Sequence, residues 1–273
     1  MKKILALALV LTMILAFAAC GGDNNDQTTG STTTAPTTAP STAPTTTTPV
    51  VTFDPNAKDE GTMTYAEYVA AEIDDEVVVE CFVQAHQSWW DNKITVYAAD
   101  PDGAYFMYEM ACPEESKDAL VPGTKIKVTG YKAAYKGEVE IIDCTFEIME
   151  GTWIAEVTDV TALLADDSLI DYQNRYVAIK GATVAPSTNK DGVESAFLYN
   201  WDGSGEQGND LYFNITVDGE TYNMCVESYL CGKDTDVYKA VEALQIGDTI
   251  DLTGFLYWYD GVNPHITAVT AAN

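Results

Sequence analysis

One ten-residue phrase occurs twice in this chain, and the repetition limits its fold more than any other feature: Pro122-Gly-Thr-Lys-Ile-Lys-Val-Thr-Gly-Tyr131 returns as Ile246-Gly-Asp-Thr-Ile-Asp-Leu-Thr-Gly-Phe255. Upstream, Glu76-Val-Val-Val-Glu-Cys-Phe-Val83 parallels Arg175-Tyr-Val-Ala-Ile-Lys-Gly-Ala182, and downstream Gly137-Glu-Val-Glu-Ile-Ile142 parallels Gly261-Val-Asn-Pro-His-Ile266. Internal matches in the same order mark a duplicated unit. Two related domains are therefore expected, 53–150 and 151–273, with a seam near Gly151. Charge divides evenly between them, with 7 basic and 21 acidic residues in the first and 5 and 19 in the second.

Within the first repeat, alternating β-branched and aromatic residues predict strands near 76–84, 94–99, 104–110, 124–132 and 138–149. Asp102-Gly103 supplies a hairpin turn between the second and third. Pro113-Glu-Glu115 begins a short helix, with acidic residues suited to its N-terminus. Five strands with a helix between the third and fourth is the order of an OB-fold, a small Greek-key barrel. The second repeat predicts the same order: a strand near 175–184, a hairpin around 196–226, a helix near 234–244, and strands at 248–257 and 262–270. Amphipathic segments before each barrel, Thr64-Tyr-Ala-Glu-Tyr-Val-Ala-Ala71 and Asp159-Val-Thr-Ala-Leu-Leu164, are suited to plug the barrel bottoms. The fold class is thus all-β with minor helix, in two tandem OB-fold-like five-stranded barrels.

The barrels follow a different kind of sequence. Lys2 and Lys3 precede an apolar run from Ile4 to Ala19, the layout of a secretory signal. The run is shorter than the roughly 20 residues a spanning helix needs. Leu15-Ala-Phe-Ala-Ala-Cys20 resembles a bacterial lipobox, which implies cleavage after residue 19 and a diacylglyceryl group on Cys20. An ordinary signal cut after Ala19 is the alternative. Of the 22 residues from Thr28 to Pro49, 12 are Thr and 4 are Pro. Such a stretch cannot bury enough apolar surface to offset its ordering entropy, so 20–52 is expected to be a disordered spacer. The expected location is extracytoplasmic, held to the cell membrane by lipid.

Thr64-Tyr-Ala-Glu-Tyr68, Gln87-Ser-Trp-Trp-Asp-Asn-Lys93, Asp102-Gly-Ala-Tyr-Phe106 and the phrase ending at Tyr131 together resemble OB-fold lipoproteins of Gram-positive, Firmicute-type bacteria. The resemblance covers mainly the first repeat. It implies fold and location and carries no activity.

Chemistry is mostly excluded. Only two histidines, His86 and His265, are present, one per repeat, so neither a Ser-His-Asp triad nor a His-rich metal site fits within one domain. Gly203-Ser-Gly-Glu-Gln-Gly208 matches a dinucleotide-loop pattern but is followed by a strand-like run where a helix is required. Asp100-Pro-Asp-Gly103 starts like a calcium loop, yet Ala104 and Ala111 stand at later ligand positions. No enzyme, cofactor or metal is expected. Cys112 with Cys144, and Cys225 with Cys231, are candidate disulfides, with buried free thiols the equal alternative.

The candidate site is aromatic. OB barrels bind ligands on the second and third strands and on the loops joining strands one–two and four–five. Those positions hold Trp89, Trp90, Tyr105 and Tyr135 in the first repeat, and Tyr257, Trp258 and Tyr259, with Tyr199 and Trp201 nearby, in the second. Lys93, Lys132 and Lys136 are expected to form a small positive spot. A non-enzymatic module binding a glycan or wall polymer leads this reading, and a structural or protein-interaction role is the alternative. Nucleic acid ranks last, because the net charge of −28 repels polyanions.

Overall fold

The computed structural model describes residues 53–272; the expected signal, Cys20 and the Thr/Pro stretch lie outside them. The first barrel is built from β1 (Glu76–His86), β2 (Lys93–Ala99), β3 (Ala104–Ala111), β4 (Thr124–Tyr135) and β5 (Glu138–Thr152). It closes in the order β1-β2-β3-β5-β4, with β3 and β5 parallel and the other pairs antiparallel. A 3-10 turn at Glu114–Ala119 joins β3 to β4, where the sequence places its helix.

The second repeat adds β6 (Thr158–Asp159), β7 (Tyr176–Ala185), β8 (Ser187–Thr188), β9 (Glu194–Ser195) and β10 (Leu198–Tyr199). It continues with β11 (Leu211–Val217), β12 (Glu220–Val226), β13 (Thr249–Phe255) and β14 (His265–Ala271). The ring β7-β11-β12-β14-β13 closes through β13–β7 and β11–β7 pairings, again with one parallel pair, β12–β14. Both repeats are therefore five-stranded OB-like barrels, as the sequence predicts. A helix, Asp236–Glu242, sits between the third and fourth barrel strands of the second.

The duplicated phrase has a steric reason. Its glycine, Gly130 in β4 and Gly254 in β13, lies at a register shift in each barrel. A Cβ on Gly130 would meet Cys144 Cβ at 2.5 Å, and one on Gly254 would collide with the His265 backbone. Only glycine lets the neighbouring strand approach there, and the irregularity supplies the bend that closure needs.

The helix α1 (Tyr65–Ala70) plugs the first barrel by inserting Tyr68 into its core. Thr64 and Glu67 form a capping box at its start. At its end the ammonium of Lys132 donates to the carbonyls of Tyr68, Val69 and Ala71 at 3.0, 2.9 and 2.8 Å. Those carbonyls have no partner within the helix, so a buried cation is the cap.

The barrels share a third core of Tyr97, Phe106 and Phe255. Tyr97 stacks on Phe255 with centroids 4.4 Å apart, and its hydroxyl shares a 2.5 Å hydrogen bond with His265 Nδ1. Polar contacts surround the rings. The backbone N–H of Trp258 donates to Glu138 Oε2 at 2.9 Å, and Gln173 both accepts from the Val139 N–H and donates to the Gly137 carbonyl. Arg175 donates to the Asp102 carbonyl, and Ser88 N–H to that of Tyr229 at 2.7 Å.

Candidate functional site

A groove of about 1350 Å³ opens beside this shared core, with walls from both repeats. The β1–β2 loop contributes Trp90, and the loop after β10 contributes Trp201; their exposures are 79 % and 76 %. Tyr229, from the turn after β12, is 66 % exposed and lines the same space. Tyr257 forms part of the floor, stacked on the buried His265 at 4.3 Å. Polar edges come from Gln87, Asn223 and Asn263. Asn263 donates to Asn223 Oδ1 at 3.1 Å, which orients that amide pair.

The electrostatics of the groove are unusual. Lys93 is the one basic residue lining it, and its ammonium is paired with Glu109 at 2.6 Å. His265 is held neutral, because burial pushes its imidazole down to about 3. Glu227 also lines the groove; burial, with Asp210 adding, pushes its carboxyl up to about 7. The groove thus offers ring faces, amides and the carboxyl of Glu227, while its other carboxyls, Glu109 and Asp260, are paired with Lys93 and Lys136.

Of the residues chosen from sequence, Trp90, Lys93, Trp201, Tyr257 and Tyr259 line the groove. Tyr135 stands at its rim, edge-on to Tyr259 at 6.1 Å. The others are corrected. Trp89 turns inward and donates its indole N–H to the Cys112 carbonyl at 2.8 Å, packed against the first core. Tyr105 is fully buried and donates its hydroxyl to Asp100 at 2.8 Å. Trp258 packs on the second core with its ring over Gly137, and Tyr199 donates to Glu242 at 2.6 Å. The positive spot dissolves: Lys132 is the helix cap, and Lys136 pairs with Asp260 at 2.8 Å. Cys112, Cys144, Cys225 and Cys231 are free and buried, so neither candidate disulfide forms. Asp100 is held by Lys58, Tyr105 and the amides of Asp102 and Gly103.

Sequence reasoning missed Tyr108, Tyr212, Tyr229, Asn223 and Glu227, which complete the walls. Glu227-Ser-Tyr229 directly follows a strand end, a position that would have warranted inspection; the other three lie within strands. Their joint placement depends on how the barrels meet.

No family model matches the chain, and no curated protein matches it. Solved structures do. The HINa domain of Ifi202, in complex with a 20-base-pair DNA duplex, is 10 % identical, with 73 % of this chain and 100 % of that one covered and a TM-score of 0.33. A murine DNA-binding protein bound to duplex DNA is 12 % identical over 72 % of this chain and 96 % of that one, at 0.32. A replication protein A heterotrimer bound to single-stranded DNA is 8 % identical over 73 % and 49 %, at 0.28.

The side-chain geometry corrects the expected ligand site. The sequence places a glycan or wall polymer on the second and third strands and the aromatic loops joining strands one–two and four–five, with nucleic acid last. Trp89, Tyr105, Trp258 and Tyr199 are occupied within the fold, so those loop platforms do not exist as expected. The groove that does form joins exposed rings from both repeats, and the placing of a glycan ahead of nucleic acid, which rested on those platforms, is withdrawn with them.

Proposed function

We propose that this chain is a binding module, not a catalyst, whose inter-barrel groove takes nucleobases, presented either by a short single strand or as free nucleosides. The observation that carries this reading is the pair of highly exposed tryptophans, one from each barrel, lining a single groove. Large exposed rings are platforms for base stacking, worth roughly 1–3 kcal/mol per base. Amides at the walls suit base edges, since Asn and Gln both donate and accept. A duplex hides its base faces, so the ligand must be unstacked. The charge of −28 and the paired Lys93 leave phosphates unattended, so recognition is led by bases.

Calorimetry on the full chain with nucleosides, and anisotropy with labelled six-nucleotide single strands, tests the reading. Nucleoside affinity should be indifferent to salt. Strand affinity should show a much shallower salt slope than the steep loss expected of a phosphate-led binder. Trp90→Ala with Trp201→Ala should weaken both ligands at least tenfold while leaving the melt unchanged, because both rings are exposed. If neither ligand binds, or the double variant binds as before, the reading fails.

On sequence grounds we also propose export and a lipid anchor at Cys20, with 20–52 as the spacer, as in the Gram-positive lipoproteins the first repeat resembles. Two acyl chains would hold the chain stably where one would not. Cys20→Ala is expected to abolish labelling by a fatty-acid analogue; label retained on that variant would refute the anchor.

A further inference from the structure

We propose that Glu227 makes the groove selective for guanine, an assignment that rests on the nucleobase reading above. Glu227 follows β12 and lines the groove. Its Oε2 accepts the N–H of Leu230 at 2.9 Å within its own turn, and Asp210 holds the next residue through Ser228 N–H and Oγ at 2.8 and 2.6 Å. The carboxyl is therefore preset before any ligand arrives. Among the described residues no ammonium or guanidinium lies within ion-pair distance of it. A carboxylate has about four acceptor positions; the Leu230 N–H fills one, the Tyr229 N–H and the Gln87 amide also face the carboxyl, and a base that binds both oxygens takes the place of the Gln87 amide.

Base chemistry then decides the partner. Guanine carries a ring N–H and an exocyclic amino group side by side, two donors spaced for the two oxygens of one carboxylate. Adenine and cytosine each set an amino donor next to a ring-nitrogen acceptor, which would turn a lone pair toward one oxygen. Uracil and thymine flank their single N–H with carbonyls. Only guanine satisfies both oxygens, and a matched two-bond contact separates right from wrong bases by about 1–3 kcal/mol, roughly five- to 150-fold.

The same contact fixes a pH dependence. The groups that face Glu227 are Asp210, Tyr97, Tyr212, Cys225, Cys231 and the Gln87 amide, none of them cationic. Desolvation and then Asp210 push its carboxyl up to about 7, so the accepting form is incomplete at neutral pH. Guanine binds the ionised form, and its affinity should rise between pH 6 and pH 8.

The test compares guanosine, inosine and adenosine on the full chain at pH 6 and pH 8. Inosine lacks only the exocyclic amino group. Guanosine should bind at least tenfold tighter than inosine at pH 8, and the gap should narrow at pH 6. Glu227→Gln should bring guanosine down to the inosine level and flatten the pH response, with an unchanged circular dichroism spectrum as the control for folding. Equal binding of all three nucleosides would overturn the selectivity while the nucleobase reading stands. Binding of none would overturn both. A Glu227→Gln protein that still prefers guanosine would remove Glu227 from the contact.

Discussion

Tyr97→Ala is expected to destabilise the protein by about 3–5 kcal/mol, the usual loss when a large core ring is truncated. Tyr97 is fully buried between the barrels, 5.0 Å from the Phe106 centroid and stacked on Phe255. Truncation opens a cavity bordered by both repeats and strips His265 Nδ1 of its partner. A buried nitrogen left unpaired adds to the loss. Tyr97→Phe keeps the ring and removes only the hydroxyl, so about 1 kcal/mol separates it from the parent. Urea denaturation of the two variants measures both. A Tyr97→Ala loss below about 1 kcal/mol would mean that the three rings do not act as a common core. Fragments 53–150 and 151–273 each keep a main core, but each exposes its share of these rings when cut from the other.

The second large effect is a stability maximum in mildly acidic solution, with its alkaline side set mainly by Glu138. That side chain is fully buried beside the Trp258 N–H, and burial pushes its carboxyl up from 4.5 to about 8. Between those values the folded chain holds a proton that the unfolded chain releases. Stability from this group is complete below about 4.5 and is lost as pH rises through 8. Glu227 acts in the same direction up to about 7. His265 acts oppositely: its folded value of about 3 lies below the ordinary 6.5, so its contribution is present above 6.5 and lost as pH falls toward 3. Glu138→Gln removes the largest part of the alkaline loss while keeping an oxygen for the Trp258 N–H. At pH 9 the variant should exceed the parent by about 2–5 kcal/mol, and at pH 4 the two should nearly coincide. Parallel denaturation profiles across pH 4–9 would exclude Glu138 as the source.

The barrels were legible because their signals are local. Alternation of side chains, the Asp102-Gly103 turn and the repeated Val-Thr-Gly-Tyr and Leu-Thr-Gly-Phe endings locate the strands of the first barrel and the outer strands of the second to within a few residues, whereas the second barrel's hairpin turns at Asp218-Gly219 and not in the 203–208 loop. The site was legible only in part. Trp89 and Trp90 are neighbours of equal apparent promise, yet one ring turns to the Cys112 carbonyl and the other to solvent. Tyr105 looks like a binding ring on an outer strand until α1 is seen to cover it, at 5.0 Å from Tyr68. Lys132 looks like a free cation because nothing local shows that its ammonium ends a helix more than sixty residues earlier. Tyr229 and Glu227 gain meaning only when Ser88 reaches across from the other repeat.

The five thiols of the two barrels have a consequence for manufacture. Cys81, Cys112, Cys144, Cys225 and Cys231 are all buried and unpaired, and burial pushes each toward its protonated form. A buried thiol behaves as a small apolar filler and reacts slowly with oxidants. Nothing in the barrels waits for an oxidase or an isomerase to complete it. Once folded, the barrels owe none of their stability to a redox state, and dithiothreitol in the buffer should leave the unfolding curve where it was.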